Sequence, residues 1–205
     1  VGARLPVHEA KGSIMVDIGG GTTEISVISL GGIVVNKTLR TAGDELNDDI
    51  IQYARDHFNM LIGERTAENI KMKIGSAGDV VEPLEALIRG RDLVTGLPKE
   101  IIMNSSQTRE AMTRSISIIV GAIKDAIEET PPELLSDIIE QGIYLAGGGA
   151  LLQGLPDTIA GSTQIRTIVT DDPLTAVVRG TGIVLEDLEQ LQEVLLPSVH
   201  GSELK

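Results

Sequence analysis

The chain predicts an α/β fold. Three observations carry this reading. β-type and helical runs alternate along the chain, its opening reads as an antiparallel meander, and two apolar strands far apart each run into a triple glycine, Gly19–Gly21 and Gly147–Gly149. Alternation of the two hydrophobic periods marks the α/β class. No internal repeat and no low-complexity linker interrupts it.

Residues 13 to 39 predict three short strands: Ile14 to Ile18, Glu24 to Leu30 and Ile33 to Leu39. Gly31-Gly32 between the last two is a two-residue hairpin signal. Gly43-Asp44 starts a helix, because Leu46, Ile50, Ile51, Ala54 and Phe58 recur at helical spacing. A second helix spans about Glu64 to Ile74 and ends at Gly75-Ser76-Ala77-Gly78. Val80-Val81, Leu84 to Ile88 and Ile101-Ile102 read as strands, punctuated by Gly90, Gly96 and Pro98. Residues 36 to 98 are therefore expected to be a compact insertion.

Asn104-Ser105-Ser106 caps the longest helix. Its apolar stripe is Met112, Ile116, Ile119, Val120, Ile123 and Ile127, and Pro131-Pro132 stops it. A short helix from Glu133 to Ile139 follows. The strand Gly142 to Ala146 then enters the second triple glycine, with helix expected beyond it around Leu151-Leu152 and Leu155 to Ile159. Residues 165 to 169 predict a strand. Asp172-Pro173 is a helix start with Pro at the first position, and Leu174, Val177, Val178, Ile183, Leu185, Leu188 and Leu191 line that helix. Pro197 to Lys205 is expected to fray.

Composition narrows function. Hydrophobic residues make up 41% of the 205, enough for a buried core, yet there is no Trp, with two Tyr and one Phe. Stacking platforms for single-stranded nucleic acid are thus not expected. The formal net charge of −13 repels nucleic acid and anionic membrane surfaces, and no Lys/Arg cluster offsets it. With no Cys there are no disulfides and no thiolate metal sites; a cytoplasmic protein fits this. No run approaches the about 20 apolar residues of a membrane span, and no signal peptide is visible. Val1-Gly2-Ala3-Arg4-Leu5-Pro6-Val7 reads as the interior of a longer chain.

The chemistry concentrates at the glycines. Three in a row cost conformational entropy and offer no packing, so they belong where backbone N–H groups approach something bulky and anionic. Asp17, delivered by the first strand, is placed to hold a divalent cation or orient a water, and the hydroxyls of Thr22 and Thr23 can serve phosphate oxygens. The plain alternative for Gly19–Gly21 is a hairpin turn, and for Gly147–Gly149 a tight strand-to-helix turn. As a pair, more than a hundred residues apart, they read as one ligand gripped from two sides. Glycines between strand and helix let helix N–H groups bind anions or let a flat ring come close. Glu68 and Lys71, three apart, share a helix face, which by spacing alone is an ordinary surface ion pair. His8, His57 and His200 are scattered, without motif context.

At this point the residues resemble a known family. Asp17-Ile18-Gly19-Gly20-Gly21-Thr22-Thr23-Glu24 resembles the second phosphate motif of the actin, Hsp70 and sugar-kinase superfamily, and Leu145-Ala146-Gly147-Gly148-Gly149-Ala150-Leu151-Leu152 resembles its adenosine motif. The stretches 26–34, 63–71 and 171–180 narrow the resemblance to the MreB family of bacterial actin homologues, across essentially the whole chain. The resemblance implies the actin-like (ribonuclease H-like) ATPase fold, mainly subdomains IIA (13–35 and 99–170) and IIB (36–98). Residues 1–12 would be the tail of an interdomain connection, and 171–205 would return toward subdomain IA. It implies ATP and Mg²⁺ as cofactors. Gly19, Gly20, Gly21 and Thr22 would bind the β- and γ-phosphates. Glu68, Asn69, Ile70 and Lys71 would contact adenosine, and Gly147, Gly148, Gly149, Ala150 and Leu151 would lie near ribose, base and α-phosphate. Asp17 would act through hydrated Mg²⁺ and the attacking water, which Thr22 or Thr23 would help position.

The resemblance further implies self-association into filaments, association with the cell-wall elongation machinery and membrane-associated shape proteins, a role in rod cell shape, and a place at the inner face of the membrane. The family's first phosphate motif, of the Asp-x-Gly-x-x-x-Thr type, does not precede Val1. The chain is thus expected to be the C-terminal portion of such a protein, holding half a nucleotide cleft and lacking full hydrolysis alone. The alternatives are a small-molecule kinase, which needs a sugar-binding loop and an acidic base not found here, and a non-catalytic nucleotide-binding module.

Overall fold

A computed structural model describes residues 2–5, 9–79 and 82–186. The expected strand at Val80-Val81, the positions Leu188 and Leu191, the tail 197–205, His8 and His200 lie outside the described residues.

The meander forms as expected from β1 (Ser13–Ile18), β2 (Thr23–Ser29) and β3 (Gly32–Leu39), antiparallel throughout. Its second turn differs from the sequence expectation. Ser29 pairs with Gly32, so Leu30 and Gly31, both at positive φ (52° and 75°), make the turn rather than Gly31-Gly32. Two positive-φ central residues match the twist of a two-residue hairpin, and Gly32 is thereby left to open β3.

α1 (Gly43–Phe58), β4 (Met60–Leu61) and α2 (Glu64–Ile74) follow, then β5 (Glu85–Asp92) and β6 (Pro98–Asn104). Both helices start where the spacing places them. β4 is too short to show a period and was not legible. β5 and β6 run longer than their apolar cores because Arg89 and Glu100 pair across the hairpin on its exposed face. Pro98 is the first residue of β6, a position where a missing N–H is tolerated.

The capping prediction for α3 (Ser105–Glu128) holds in full. The Asn104 side chain accepts from the Gln107 N–H and the Gln107 side chain accepts from the Asn104 N–H, both at 3.0 Å. Met112, Ile116, Ile119, Val120 and Ile123 are buried, as the stripe requires. Each such side chain contributes about 1.5–3 kcal/mol on full burial. α4 (Pro132–Gln141) uses Pro132 as its first residue. β7 (Ile143–Ala146), a single 3-10 turn (Gly148–Leu151), α5 (Leu155–Thr163), β8 (Thr167–Val169) and α6 (Ala176–Glu186) complete the order.

The last helix starts later than Asp172-Pro173. Asp172 takes a positive φ of 49° and the Pro173 carbonyl accepts the Gly147 N–H at 2.9 Å. That carbonyl is therefore engaged outside a helix, and α6 begins at Ala176.

Five strands form one sheet in the order β3-β2-β1-β7-β8, and β4-β5-β6 form a second, antiparallel sheet. β7 runs parallel to β1 on one side and to β8 on the other. The core is aliphatic, with Ile14, Val16, Ile18, Ile25, Val27, Ile143 and Leu145 fully buried in the central strands. α3 packs on β2 and β3, and α4 on β1. Among the described residues no helix is long and apolar enough to cross a membrane.

Candidate functional site

The register of β1 against β7 builds the site. The two strands are parallel neighbours with Asp17 opposite Ala146. Both triple glycines therefore leave the sheet at its same end, side by side. In open α/β sheets the carboxyl ends of parallel strands are where ligands bind.

The first turn is closed by the Gly19 N–H donating to the Thr22 carbonyl at 2.9 Å. It is then fastened to α1. The Gly43 N–H donates to the Gly19 carbonyl at 3.0 Å and the Asp44 N–H to the Gly20 carbonyl at 2.8 Å. The first N–H groups of a helix have no intrahelical partner, and Ala42 offers no side-chain cap, so the turn's carbonyls take that role. This is why Gly19 and Gly20 hold one shape despite their freedom.

The second turn depends on Gly147, whose φ is +80° and whose Cβ, if present, would collide with the Ile18 carbonyl and the Asp17 carboxylate. Beyond it the helix expected around Leu155 to Ile159 forms as α5, but it starts at Leu155 and not at the glycines. Only one 3-10 turn forms, closed by the Ala150 N–H on the Gly147 carbonyl at 3.3 Å and the Leu152 N–H on the Gly149 carbonyl at 3.1 Å. The residues after it instead bind the end of α2. The Ala77 N–H donates to the Gln153 carbonyl at 2.7 Å, and the buried Ser76 hydroxyl donates to the Gly78 carbonyl at 2.9 Å and the Gln153 carbonyl at 3.3 Å.

A cavity of about 550 Å³ opens between these pieces, lined by Gly19, Gly20, Gly43, Asp44, Glu68, Lys71, Met72, Gly148, Gly149, Leu151 and Leu174 among others. A larger groove of about 640 Å³ lies beside α3, at Asn104, Gln107, Arg109 and Glu110. It holds no glycine turn, and its Arg109 is paired with Asp79.

Seven of the sequence-predicted residues meet at the cavity: Gly19, Gly20, Glu68, Lys71, Gly148, Gly149 and Leu151. Gly21 and Thr22 are exposed on the same turn, and Asp17 is half-buried below it. The others are placed elsewhere. Thr23 is fully buried with its hydroxyl donating to the Thr41 carbonyl at 2.8 Å, so Thr22 carries the exposed hydroxyl of the pair. Ala150 and Ile70 are core residues, and Asn69 lines a separate groove between α2 and β5. His57 is held locally, stacked on Tyr53 with ring centroids 3.9 Å apart. Sequence reasoning missed Gly43, Asp44, Met72 and Leu174. The signal for Gly43-Asp44 was a helix start with no capping side chain before it.

Charge is concentrated and partly desolvated. Burial pushes the Asp17 carboxyl above its usual range, and Glu24, paired directly across the β1–β2 ladder, adds to this. Burial pushes the Lys71 ammonium down, against Glu68 and Asp44, which favour its charged form. Its Nζ donates to the Gly43 carbonyl at 2.7 Å.

A nucleotide fits this lining. Gly20 and Gly148 present bare backbone to the cavity: a Cβ on Gly20 would stand 3.5 Å from Asp44 Oδ1, and one on Gly148 3.3 Å from Leu174 Cδ2. Polyphosphate needs such backbone approach, while Met72, Leu151 and Leu174 offer exposed apolar surface to a ring. For Mg²⁺ the donor set is sparse. Among the described residues no three His, Cys, Asp or Glu side chains gather to cage a metal, so Asp17 suits an ion that keeps its waters and is shared with phosphate.

Five strands in the order β3-β2-β1-β7-β8, with paired glycine turns over a nucleotide-sized cavity, define an actin-like protein. The fold of MreB5 of Spiroplasma citri, solved bound to ADP and to AMPPNP, superposes with a TM-score of 0.89 at 37% identity, covering 94% of this chain and 58% of that one. A MamK filament subunit shares the fold at a TM-score of 0.69 and 22% identity. The chain matches the MreB/Mbl protein family over residues 1–193 and belongs to that family. It is 47% identical to the cell shape-determining protein MreB of Escherichia coli K12 over 206 residues, all of this chain and 56% of that protein. It is 42% identical to the cell shape-determining protein Mbl of Bacillus subtilis 168 over 191 residues, 93% of this chain and 57% of that protein. The chain thus spans somewhat over half the length of the relatives it matches.

Proposed function

We propose that this chain supplies one wall of an ATP site in a filament-forming, cell shape-determining protein of the MreB type. The observation that carries the reading is the cavity between the two glycine turns and α2, in a fold whose 37%-identical relative was solved with ADP and with AMPPNP. Gly19, Gly20, Gly21 and Thr22 take the β- and γ-phosphates through backbone N–H groups and one hydroxyl. Glu68, Lys71, Gly148, Gly149 and Leu151 take the nucleoside end. Mg²⁺, when bound, screens the phosphate charge. Asp17 would hold that ion through its waters and orient a water for in-line attack on the terminal phosphorus, with ADP as the leaving group. Subdomain boundaries near residues 36 and 98, a position at the inner membrane face, and partners in cell-wall elongation belong to the same proposal. They rest on family membership.

Titration calorimetry of the chain with ATP tests the binding step. The expected result is micromolar affinity that falls when EDTA removes Mg²⁺. No heat at millimolar MgATP overturns it. Filament formation predicts a critical concentration in sedimentation with MgATP, and pelleting without one overturns that part.

A further inference from the structure

We infer that Lys71 is a positioning residue that fastens α2, at the nucleoside end of the cavity, to the phosphate turn, so that the two ends move as one body. The inference rests on the nucleotide reading above. Its basis is a continuous line of hydrogen bonds. Lys71 Nζ donates to the Gly43 carbonyl at 2.7 Å, the Gly43 N–H donates to the Gly19 carbonyl at 3.0 Å, and the Asp44 N–H donates to the Gly20 carbonyl at 2.8 Å. The start of α1 is thus the middle link, gripped by the turn on one side and by Lys71 on the other.

Two features make this more than a surface contact. Lys71 is half-buried, and the hydrogen bond goes to a backbone carbonyl 28 residues away rather than to Glu68 on its own helix. A charge-assisted bond in partly desolvated surroundings is stronger than an exposed ion pair. The fit is also close: a Cβ on Gly43 would stand 3.4 Å from the ammonium and 3.1 Å from the Gly19 carbonyl. A Cβ there would press on both, so the start of α1 is closely fitted between the turn and Lys71. An ammonium has three donors. One holds Gly43, which leaves two on a residue that lines the cavity together with Glu68 and Asp44. A ligand that engages those donors acts on the same group that steadies Gly19 and Gly20.

A Lys71 that only contacted bound ligand would matter for binding but would leave the ligand-free chain unchanged. The tie predicts otherwise. The test compares wild type, Lys71→Met, which keeps the apolar stem, and Lys71→Arg, which keeps a charged donor. Calorimetry with magnesium tripolyphosphate is expected to show about tenfold weaker binding for K71M, the worth of one lost charge-assisted bond, with recovery in K71R. Amide exchange on the ligand-free chain is expected to show Gly43 and Asp44 exchanging about tenfold faster in K71M, with α4 amides unchanged. If K71M loses protection in α4 it has unfolded, and Lys71→Gln replaces it with the same thresholds. Unchanged exchange at Gly43 and Asp44 overturns the inference whatever binds. Should the wild-type chain bind neither ATP nor tripolyphosphate, the nucleotide reading fails while exchange still decides the tie.

Discussion

The Asp17 carboxylate occupies the space that a side chain on Gly147 would need. Asp17 Oδ1 and the Ile18 carbonyl both crowd the Cβ position of Gly147, whose φ is +80°. The contact follows from pairing Asp17 with Ala146 across β1 and β7, so the two glycine turns are packed against one another. Gly147→Ala is expected to cost about 2–5 kcal/mol, combining left-handed backbone strain with overpacking. Gly148→Ala, with ordinary φ and only Leu174 Cδ2 nearby, is expected to cost about 1 kcal/mol or less while narrowing the cavity. Urea unfolding of both variants checks the contrast. Equal midpoints would show that the turns do not pack as described.

Asp17 is held at a cost to folding. Burial, then Glu24, raises its folded-state carboxyl above the unfolded value. A raised acid binds its proton more tightly when folded, so stability falls as pH rises through the interval between those two values. Asp17→Asn removes that penalty. At neutral pH the variant is expected to unfold at a higher urea midpoint than wild type, with the difference shrinking as pH is lowered into the carboxylate range. A lower midpoint at neutral pH would mean that the ionised carboxylate stabilises the fold. Under the proposed function the same variant loses Mg²⁺-dependent ATP affinity, a stability-for-function exchange of the kind sites show.

The neighbouring threonines divide stability from binding. Thr23 is fully buried and donates to the Thr41 carbonyl at 2.8 Å, while Thr22 is exposed beside the phosphate turn. Thr23→Val strands the Thr41 carbonyl and is expected to cost about 1–3 kcal/mol. Thr22→Val is expected to leave the urea midpoint within about 0.5 kcal/mol and to weaken MgATP binding in calorimetry. The reverse pattern would reassign the two hydroxyls.

Much of this was legible in the sequence because local chemistry decided it. Asn104-Ser105-Ser106 marked the start of α3, and the Met112–Ile123 stripe marked its buried face. What was not legible needed partners distant in sequence. The hairpin shifted to Leu30-Gly31 because the pairing of β2 with β3, not glycine content, set the turn. The Pro173 carbonyl was withdrawn from a helix by Gly147, 26 residues earlier. Asn69 and Lys71 are two apart, yet only Lys71 reaches the cavity, because α2 turns Asn69 toward β5. A motif names the stretch, while helical phase and packing decide which residues reach the site.

The junction at Asn104 joins the second sheet to α3 and offers a separate test of local chemistry. β6 ends there, α3 begins there, and Leu84 and Ser105 exchange hydrogen bonds across the same point: the Leu84 N–H donates to Ser105 Oγ at 3.0 Å and the Ser105 N–H to the Leu84 carbonyl at 2.9 Å. Asn104→Ala removes the cap on the Gln107 N–H and is expected to cost about 1–2 kcal/mol. Gln107→Ala removes only the return bond and is expected to cost less. Because the two bonds form one box, the double variant should cost less than the sum of the singles. Urea midpoints of the three variants measure the coupling, and strict additivity would mean that the box does not act as a unit. Neither Asn104 nor Gln107 lines the cavity, so MgATP affinity should be the same in all three.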